Sequence, residues 1–597
     1  MSAPHARPAP APSLYAYARG LGAADGTPPP RGGHPLPGTA RPQHGERRRP
    51  PYREARETVT RLLLSRLTEP DTDRAAAGTE RALAAAGVRE HLVFPVAAAL
   101  DHGTPAAARA LARRLVRDGT TVRGVVAGLG LLVRLGEPED VPYLRALGRL
   151  DGIHRYAVAA LDDLDRPAAA LLWLTHFPVG DRARALVEAV AARDSAAVRE
   201  QLPGRAPGDR HMGPDHARRV AEATGLAGLL DRAPEDTALL AQALWLLART
   251  VTQGDHAVEI LEYADALALY GTVAGRAHLL PPDPGHQARL LTLAQDLHSG
   301  ASHLLEWPPG RREAVARELL DAVREPAGTG RRADWIRRTV RYLRAARLDI
   351  AGTPGIPGTS GTPGTSGAPG TPGSATAAVS RLRIEVAVAD PAGPEPVETR
   401  LLVDGRPILP GAFPQGRGDT PEELLDAGSL RAGAAPRAAR LGVTSCAEGC
   451  CGALYVTVRR EGRHVVWSDG RRPGPTPALP AYRFDADAYD AEIARAEQDH
   501  AWTWPARHTA RLIAAGLRDR PALLTRWGLR QGWISTHFKD PDTTVVTFTG
   551  PPPDDTAGAP RFYRWHLPDD GRPPAERAAE ALRRMAGTDP RTLAEPP

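Results

Sequence analysis

Residues 122–148, VRGVVAGLGLLVRLGEPEDVPYLRALG, carry the pattern that decides the fold of this chain. The segment up to Leu135 is apolar almost all round, so the helix that it predicts needs neighbours on more than one side. A Gly-Glu-Pro break follows, and a second helix is expected from near Val141. Residues 153–177, IHRYAVAALDDLDRPAAALLWLTHF, repeat the rhythm of helix, break and helix with a period of roughly 30 residues. The pattern predicts a stack of helices.

The same rhythm extends from about Tyr52 to Leu348, in helices of about 12 to 17 residues separated by Gly, Pro or Asp. In residues 104–119, TPAAARALARRLVRDG, Pro105 suits the first helical position. The side chains expected to form the buried stripe of this helix are Ala108, Leu111, Ala112 and Leu115. Residues 52–350 are therefore predicted to form one helical domain.

Three short motifs within 122–148 are Val122-Arg123, Leu135-Gly136-Glu137-Pro138 and Val141-Pro142 followed by Leu144. Together they resemble HEAT-type repeats, particularly the short lyase-associated variety. The motifs match over ~30 residues, whereas the surrounding ~290 residues share only the helical rhythm. The resemblance implies an α-solenoid that acts as a binding scaffold. Some members of such families are enzymes, among them bilin lyases and a DNA glycosylase group, but no residue set here carries a catalytic role across.

Residues 352–373, GTPGIPGTSGTPGTSGAPGTPG, follow a strict Gly-X-Y pattern. Collagen has this pattern, but the run is short, so a semi-extended tether over 351–377 is favoured and no triple-helical trimer is expected. After it, the apolar pattern changes to period two and predicts strands, including the hairpin ALYVTVRREGRHVVW. Residues 378–597 are predicted to form a smaller α+β domain, and the chain as a whole is predicted to be mainly α.

The stretches CAEGCCGALYV, FDADAYDAEIARAE and WTWPAR resemble a domain of uncharacterised proteins from high-GC bacteria. That family has no activity known to us, so the resemblance implies none. Six of the ten tryptophans lie in this domain. Trp502 and Trp504 are the best candidates for a ligand-binding face, but packing in a core or hairpin is favoured for these tryptophans.

Composition excludes several chemistries. Of the 76 lysines and arginines, only Lys539 is a lysine, which leaves 75 arginines, a bias typical of a high-GC bacterial genome. A P-loop and an internal Schiff base both need a lysine, and the neighbours of Lys539 fit neither. No secretory signal or membrane-spanning run is present, so we expect a cytoplasmic protein that does not enter a membrane.

The charge of the chain is uneven. The net charge is +6, and residues 1–50 carry +5 of it, from seven arginines against Asp25 and Glu46. Residues 1–51 are rich in Pro, Gly and Arg and are predicted to be a disordered tail. The rest is close to neutral, which argues against broad binding of phosphate backbones. Any nucleic-acid role is therefore expected to be local.

All three cysteines lie in TSCAEGCCG, residues 444–452. Cys446, Cys450 and Cys451, with His464 as a fourth ligand, are the candidate zinc site. Adjacent cysteines of a strand point to opposite faces, so convergence on one ion needs a distorted backbone. The alternatives are structural packing with a buried thiol, which is favoured, and a reversible disulfide between Cys446 and Cys450.

Residues 331–348, RRADWIRRTVRYLRAARL, are the strongest basic feature. The outward arginines are candidates for binding a polyanion: Arg337, Arg338, Arg341 and Arg344. The structural alternative is the polar outer face of a solenoid cap. No catalytic motif was found, so the first hypothesis is a non-catalytic scaffold that binds another protein. Nucleic-acid binding through the basic helix and an enzyme or thiol site in the C-terminal domain are the alternatives.

Overall fold

In the computed structural model the chain is divided into two compact units, Met1–Arg249 and Thr250–Pro597. The structure describes residues 12–22, 32–37, 52–101, 103–176, 180–202, 212–252, 258–326, 328–351, 379–391, 397–414, 416–444, 452–471, 479–536, 540–551 and 561–594. Within these ranges every helix is too short or too polar to span a lipid bilayer. The predicted tether, apart from Ala351, lies outside the described residues.

The described part of the first unit is helical. Its helices are α1 (Leu14–Gly22), α2 (Tyr52–Leu67), α3 (Thr72–Ala86), α4 (Glu90–Ala98), α5 (Pro105–Asp118), α6 (Val122–Leu135), α7 (Val141–Leu147), α8 (His154–Leu161), α9 (Arg166–His176), α10 (Gly180–Ala191), α11 (Ser195–Gln201), α12 (Pro214–Thr224), α13 (Leu226–Asp231) and α14 (Thr237–Thr250), which ends at the boundary. The helices of 122–148 and the helix beginning at Pro105 confirm the predicted rhythm.

Helix α6 lies at the centre of this packing. Every residue of α6 except Val133 and Arg134 is buried, and the helix packs against α3, α4, α5 and α8. Two glycines permit this close approach. A Cβ at Gly128 would lie 2.9 Å from the carbonyl oxygen of Ala112 in α5, and one at Gly130 would lie 2.7 Å from Cβ of Ala97 in α4. The prediction that this helix is covered on more than one side is confirmed.

The Gly-Glu-Pro break after α6 is fixed by charged side chains. Glu137 and Asp140 form a reciprocal capping box around a 3₁₀ turn, and Arg113 of α5 bridges both carboxylates. Its Nε lies 2.9 Å from Asp140 Oδ1, and its Nη2 lies 2.7 Å from Glu137 Oε2. These carboxylates raise the pKa of the Arg113 guanidinium above its usual value. These contacts therefore fix the break to helix α5.

The prediction of disorder for residues 1–51 is wrong at two places. Helix α1 buries Leu14 and Ala18 completely, and the Leu14 amide donates to the carbonyl of Gly119. Residues 32–37 also pack on the unit, because His34 forms a parallel β-bridge with Leu150. The segment is poor in large aliphatic residues, as its composition shows. A few apolar side chains are nevertheless enough to order a short stretch when they pack against helices that are already folded.

The second unit combines helices with three sheets. Its helices are α15 (Glu259–Glu262), α16 (Ala266–Arg276), α17 (Pro284–Ser299), α18 (Arg311–Ala322), α19 (Arg331–Ala351), α20 (Leu409–Ala412), α21 (Ala486–Gln498), α22 (Pro505–Asp519), α23 (Ala522–Thr525) and α24 (Pro574–Gly587). Its strands are β1 (Leu382–Val388), β2 (Val397–Val403), β3 (Arg406–Pro407), β4 (Arg417–Gly418), β5 (Arg437–Val443), β6 (Ala453–Glu461), β7 (His464–Arg471), β8 (Tyr482–Asp485), β9 (Arg530–Thr536), β10 (Thr543–Gly550) and β11 (Arg561–Pro568).

Every described pairing within the three sheets is antiparallel. The strand orders are β1-β2-β3, β4-β5-β6-β7-β8 and β11-β10-β9. The predicted hairpin is β6–β7, whose side chains alternate as expected, with Val456 buried and Tyr455 exposed. The chain is thus mainly helical with a separate region of β-sheet towards its C-terminal end, in agreement with the coarse prediction.

The predicted domain boundary at residue 350 differs from the boundary in the structure. Helices α15 to α19 belong to the same unit as the sheets. The Trp335 indole of α19 donates to the carbonyl of Val388 in β1 at 2.9 Å, and His298 Nε2 of α17 lies 2.8 Å from Glu385 Oε1 in β1. Helical periodicity continues without change through residue 250, so it could not reveal which helices pack on strands that come much later in the chain.

Candidate functional site

The sheet β11-β10-β9 has one face covered by helices and an opposite face whose exposed side chains lie on the two outer strands. Helices α22 and α24 cover the first, in a core that includes Val546 and Phe548 of the central strand. On β11, Tyr563 and Trp565 belong to this core. Because side chains alternate along a strand, Phe562 and Arg564 lie on the opposite face. We call this opposite face the outer face of the β9–β11 sheet.

Two large aromatic side chains are exposed on the outer face. The Trp533 side chain of β9 is 52% exposed and that of Phe562 in β11 is 44% exposed. They flank the central strand on either side, since Phe562 is paired with Thr549 and Trp533 lies beside Thr547. Exposed aromatic side chains that share one face are typical of an interaction surface.

A β-bulge sets the position of Trp533. Between the pairs Val546–Ile534 and Phe548–Gln531, strand β9 has one residue more than β10, so Gly532 and Trp533 together oppose Thr547. The Thr547 hydroxyl donates to the carbonyl oxygen of Trp533 at 2.5 Å. The bulge therefore holds the backbone at Trp533 while its indole ring remains exposed.

The charge of this sheet has one sign. Its strands, RQGWIST, TTVVTFTG and RFYRWHLP, contain three arginines and no aspartate or glutamate. Arg530 is paired with Thr549 and Arg564 with Thr547, which places both on the outer face. Among the described residues neither arginine has an acidic partner, and the Arg564 guanidinium lies 5.2 Å from the centre of the Phe562 ring.

Flat aromatic rings beside guanidinium groups favour one kind of ligand. Exposed rings can stack on other planar π-systems, and arginines can pair with phosphate or stack on planar groups themselves. On the central strand, the side chains of this face are Val545 and Thr547, which are buried, and Thr549, which is partly exposed. The exposed rings and arginines of β9 and β11 thus suit a planar, anionic ligand.

The predicted basic helix is α19, and its arginines are not a uniform outward surface. Arg337 lies 2.8 Å from Asp334 and 3.2 Å from Glu325, so it is occupied within the unit. Arg338 is partly buried, and this burial lowers its pKa. Arg341 and Arg344 are exposed. The expectation that Arg338 lies fully outside is wrong because α19 packs against the sheets, and polyanion binding by this helix stays a prediction.

The predicted zinc ligands are only partly described. Cys446, Cys450 and Cys451 lie outside the described residues. His464 is described and buried on β7, where its Nδ1 lies 2.9 Å from the guanidinium of Arg483. No group of three metal-binding side chains occurs within the described ranges. The zinc site therefore stays a prediction. The described neighbour of its proposed ligand His464 is the positively charged Arg483.

Trp502 and Trp504 follow the favoured expectation of packing and do not form an exposed face. Trp502 is buried, and Arg511 stacks 4.7 Å from its ring centre. Trp504 is partly buried, and its indole donates to the carbonyl of Pro541 at 2.7 Å. The signal for Trp533 was its position next to Ile534 in a strand of period two, since one of the two must face away from the core. Comparisons with family models, curated proteins and solved structures give no match to the chain.

Proposed function

We propose that the outer face of the β9–β11 sheet binds single-stranded nucleic acid. Unpaired bases stack on Trp533 and Phe562, while Arg530 and Arg564 pair with the phosphates. The observation that supports this proposal is the presence of two exposed rings and two arginines on one face of a sheet whose strands contain no carboxylate side chain.

The ligand is single-stranded because stacking on a protein ring requires a base with an accessible face. In a duplex that face is covered by the neighbouring base pairs. Stacking on an aromatic side chain contributes about 1–3 kcal/mol per base and depends little on sequence. Two rings and two arginines therefore predict binding with modest affinity and weak sequence preference.

The proposed ligand is still a polyanion, but its binding site is the outer face of the β9–β11 sheet and not helix α19. Outside residues 1–50 the chain is close to electrically neutral, so affinity has to come from a local arrangement. Arg331 and Arg337 of α19 are in ion pairs with Asp542 and Asp334, whereas the outer face keeps its arginines available. The scaffold function expected of the helical unit and the thiol chemistry of Cys446 and Cys450 stay predictions.

The test is fluorescence anisotropy with the full-length protein and a short, labelled, mixed-sequence oligonucleotide in low salt. We expect Trp533→Ala and Phe562→Ala each to weaken binding about tenfold, which corresponds to the loss of one stacked base. For Arg564→Gln we expect the slope of log K against log salt to become shallower by about 0.7, the value for one phosphate on a single strand.

Two controls separate this site from the alternatives. Tyr455→Ala removes an exposed aromatic side chain from another sheet and should leave the affinity unchanged. Arg344→Gln removes an exposed cation of α19, and a large loss of binding there would favour the basic helix. The proposal is contradicted if the protein binds duplex and single-stranded oligonucleotides with equal affinity. It is also contradicted if the double variant Trp533→Ala/Phe562→Ala binds the single strand with the affinity of the wild type.

A further inference from the structure

A cavity of about 110 Å³ lies within the second unit, where α17, β2, α20 and β4 meet. It is separate in sequence from the outer face of the β9–β11 sheet, and none of its lining residues belongs to those strands. The residues that carry its chemistry are Asp296, Glu398, Arg400 and Arg417. Cations and carboxylates therefore line the same small space.

Arg400 is the principal cation of this cavity. Its Nε donates to Glu398 Oε1 at 2.7 Å, and its Nη1 donates to the carbonyl of Gln295 at 3.2 Å. Nη2 makes no hydrogen bond to a described atom, and 19% of the side chain is exposed. Burial alone would lower the pKa of Arg400, but Glu398 and Asp296 raise it above its usual value. One donor of a permanently charged group is thus available to a ligand.

The carboxylates have different tasks. Asp296 accepts from the amides of Ala301 and Ser302 at 3.1 and 3.0 Å, so it caps the turn that follows α17. Glu398 engages Arg400 through Oε1, while its Oε2 accepts no hydrogen bond from any residue in the described ranges. Glu398 therefore offers one acceptor to a ligand beside the free donor of Arg400.

Glu398 and Arg400 lie on the same face of β2. Because side chains alternate along a strand, Thr399 between them lies on the opposite face, where it is completely buried. The free guanidinium donor of Arg400 and the free carboxylate acceptor of Glu398 therefore form the charged part of the site.

We propose that this cavity binds a small zwitterion of the α-amino acid class. Its carboxylate pairs with Arg400 Nη2 and with Arg417, and its ammonium group pairs with Glu398 Oε2. A ligand with only a negative charge would be repelled by Glu398, and a ligand with only a positive charge would be repelled by Arg400. A zwitterion can pair with both side chains. The small volume and the apolar wall formed by Ala387 and Leu409 restrict the ligand to a short side chain.

The test is isothermal titration calorimetry of the full-length protein, with glycine and L-alanine as probes and acetate and methylammonium as single-charge comparisons. We expect the amino acids to bind about tenfold or more tightly than either ion, since each ion can form only one of the two charge-assisted contacts. Arg417→Gln should weaken glycine binding about tenfold, because it removes a charged partner of the carboxylate.

Two further variants make the result decisive. Ala387→Leu fills the apolar wall without changing charge and should abolish binding, while Arg406→Gln, an exposed residue of β3, should leave it unchanged. The proposal is overturned if acetate binds as tightly as glycine, if neither amino acid binds to the folded wild-type protein, or if Arg417→Gln binds glycine with full affinity. This outcome is independent of nucleic-acid binding, because no residue is shared.

Discussion

At the scale of single residues, arginine supplies almost all the cations of this chain, and the structure uses its forked geometry. Arg113 contacts Glu137, Glu139 and Asp140 at once, which a lysine amine could not do with the same directionality. The Asp140 side chain is only 2% exposed. A buried carboxylate of this kind depends on its partner for charge compensation.

We therefore expect Arg113→Ala to lower the free energy of unfolding of the first unit by about 3 kcal/mol, because the buried Asp140 would keep only Arg117, whose Nη2 lies 3.8 Å from Oδ1. The matched control is Arg114→Ala in the next position of α5. Arg114 pairs with Asp73 and Asp118 on the surface, so its loss should cost less than about 1 kcal/mol. Urea unfolding followed by circular dichroism measures both, and equal losses would contradict the argument.

At the scale of elements, the segment 32–37 shows how a stretch poor in large aliphatics can still dock. Its His34 forms backbone hydrogen bonds with Arg149 and Asp151. Beneath it, the rings of His154 in α8 and His176 in α9 stack with centres 4.2 Å apart. Burial, with a smaller contribution from His176, lowers the pKa of His154 to about 4.

This arrangement predicts a loss of stability in mild acid. His154 is protonated near pH 6.5 in the unfolded chain but only near pH 4 in the folded one. Its contribution is therefore complete above pH 6.5 and is lost as the pH falls from 6.5 towards 4. Between pH 7 and pH 5 the loss should be on the order of 1–2 kcal/mol.

Urea unfolding of the wild type and of His154→Gln at the two pH values checks this sign. The variant should lose less stability on acidification, because it has no imidazole at this position to protonate. The exposed His278→Gln should behave like the wild type. A wild type that becomes more stable at pH 5, or a variant with an undiminished acid loss, would show that His154 is not the responsible group.

At the scale of the whole molecule, the boundary at Arg249 and Thr250 groups helices α15 to α19 with the sheets. The buried contacts between these helices and β1 and β2 involve Trp335, Glu385 and Arg400. A fragment that begins at residue 379 lacks Trp335 and would expose Glu385 and Arg400 to water. The sheets are therefore expected to need the helices that precede them.

We expect the fragment 250–597 to be soluble and to unfold cooperatively, whereas 379–597 should aggregate or lack a cooperative transition, because it loses the apolar and charged partners on β1 and β2. Expression of both fragments, with thermal unfolding and size-exclusion chromatography, measures this. A well-folded 379–597 would instead support the boundary near residue 350 that helical periodicity alone suggests.

The sequence was informative wherever local pattern determines structure. The burial of α6, the stripe of α5 and the alternation along β6 follow from apolar spacing within one element. It was uninformative where distant segments meet. The docking of Trp335 on Val388 and the ion pair of Arg331 with Asp542 depend on partners far away in the chain, and the exposure of Trp533 depends on a bulge. Composition alone does not specify such partners.

The unit boundary also changes the meaning of the Gly-Thr-Pro stretch. Because Arg331–Ala351 and Leu382–Val388 belong to one unit, the segment between them joins two elements of the same unit. Each doubling of the length of a connecting loop costs only ~0.6 kcal/mol in loop-closure entropy. Variants that gain or lose Gly-X-Y triplets there should therefore keep both units folded.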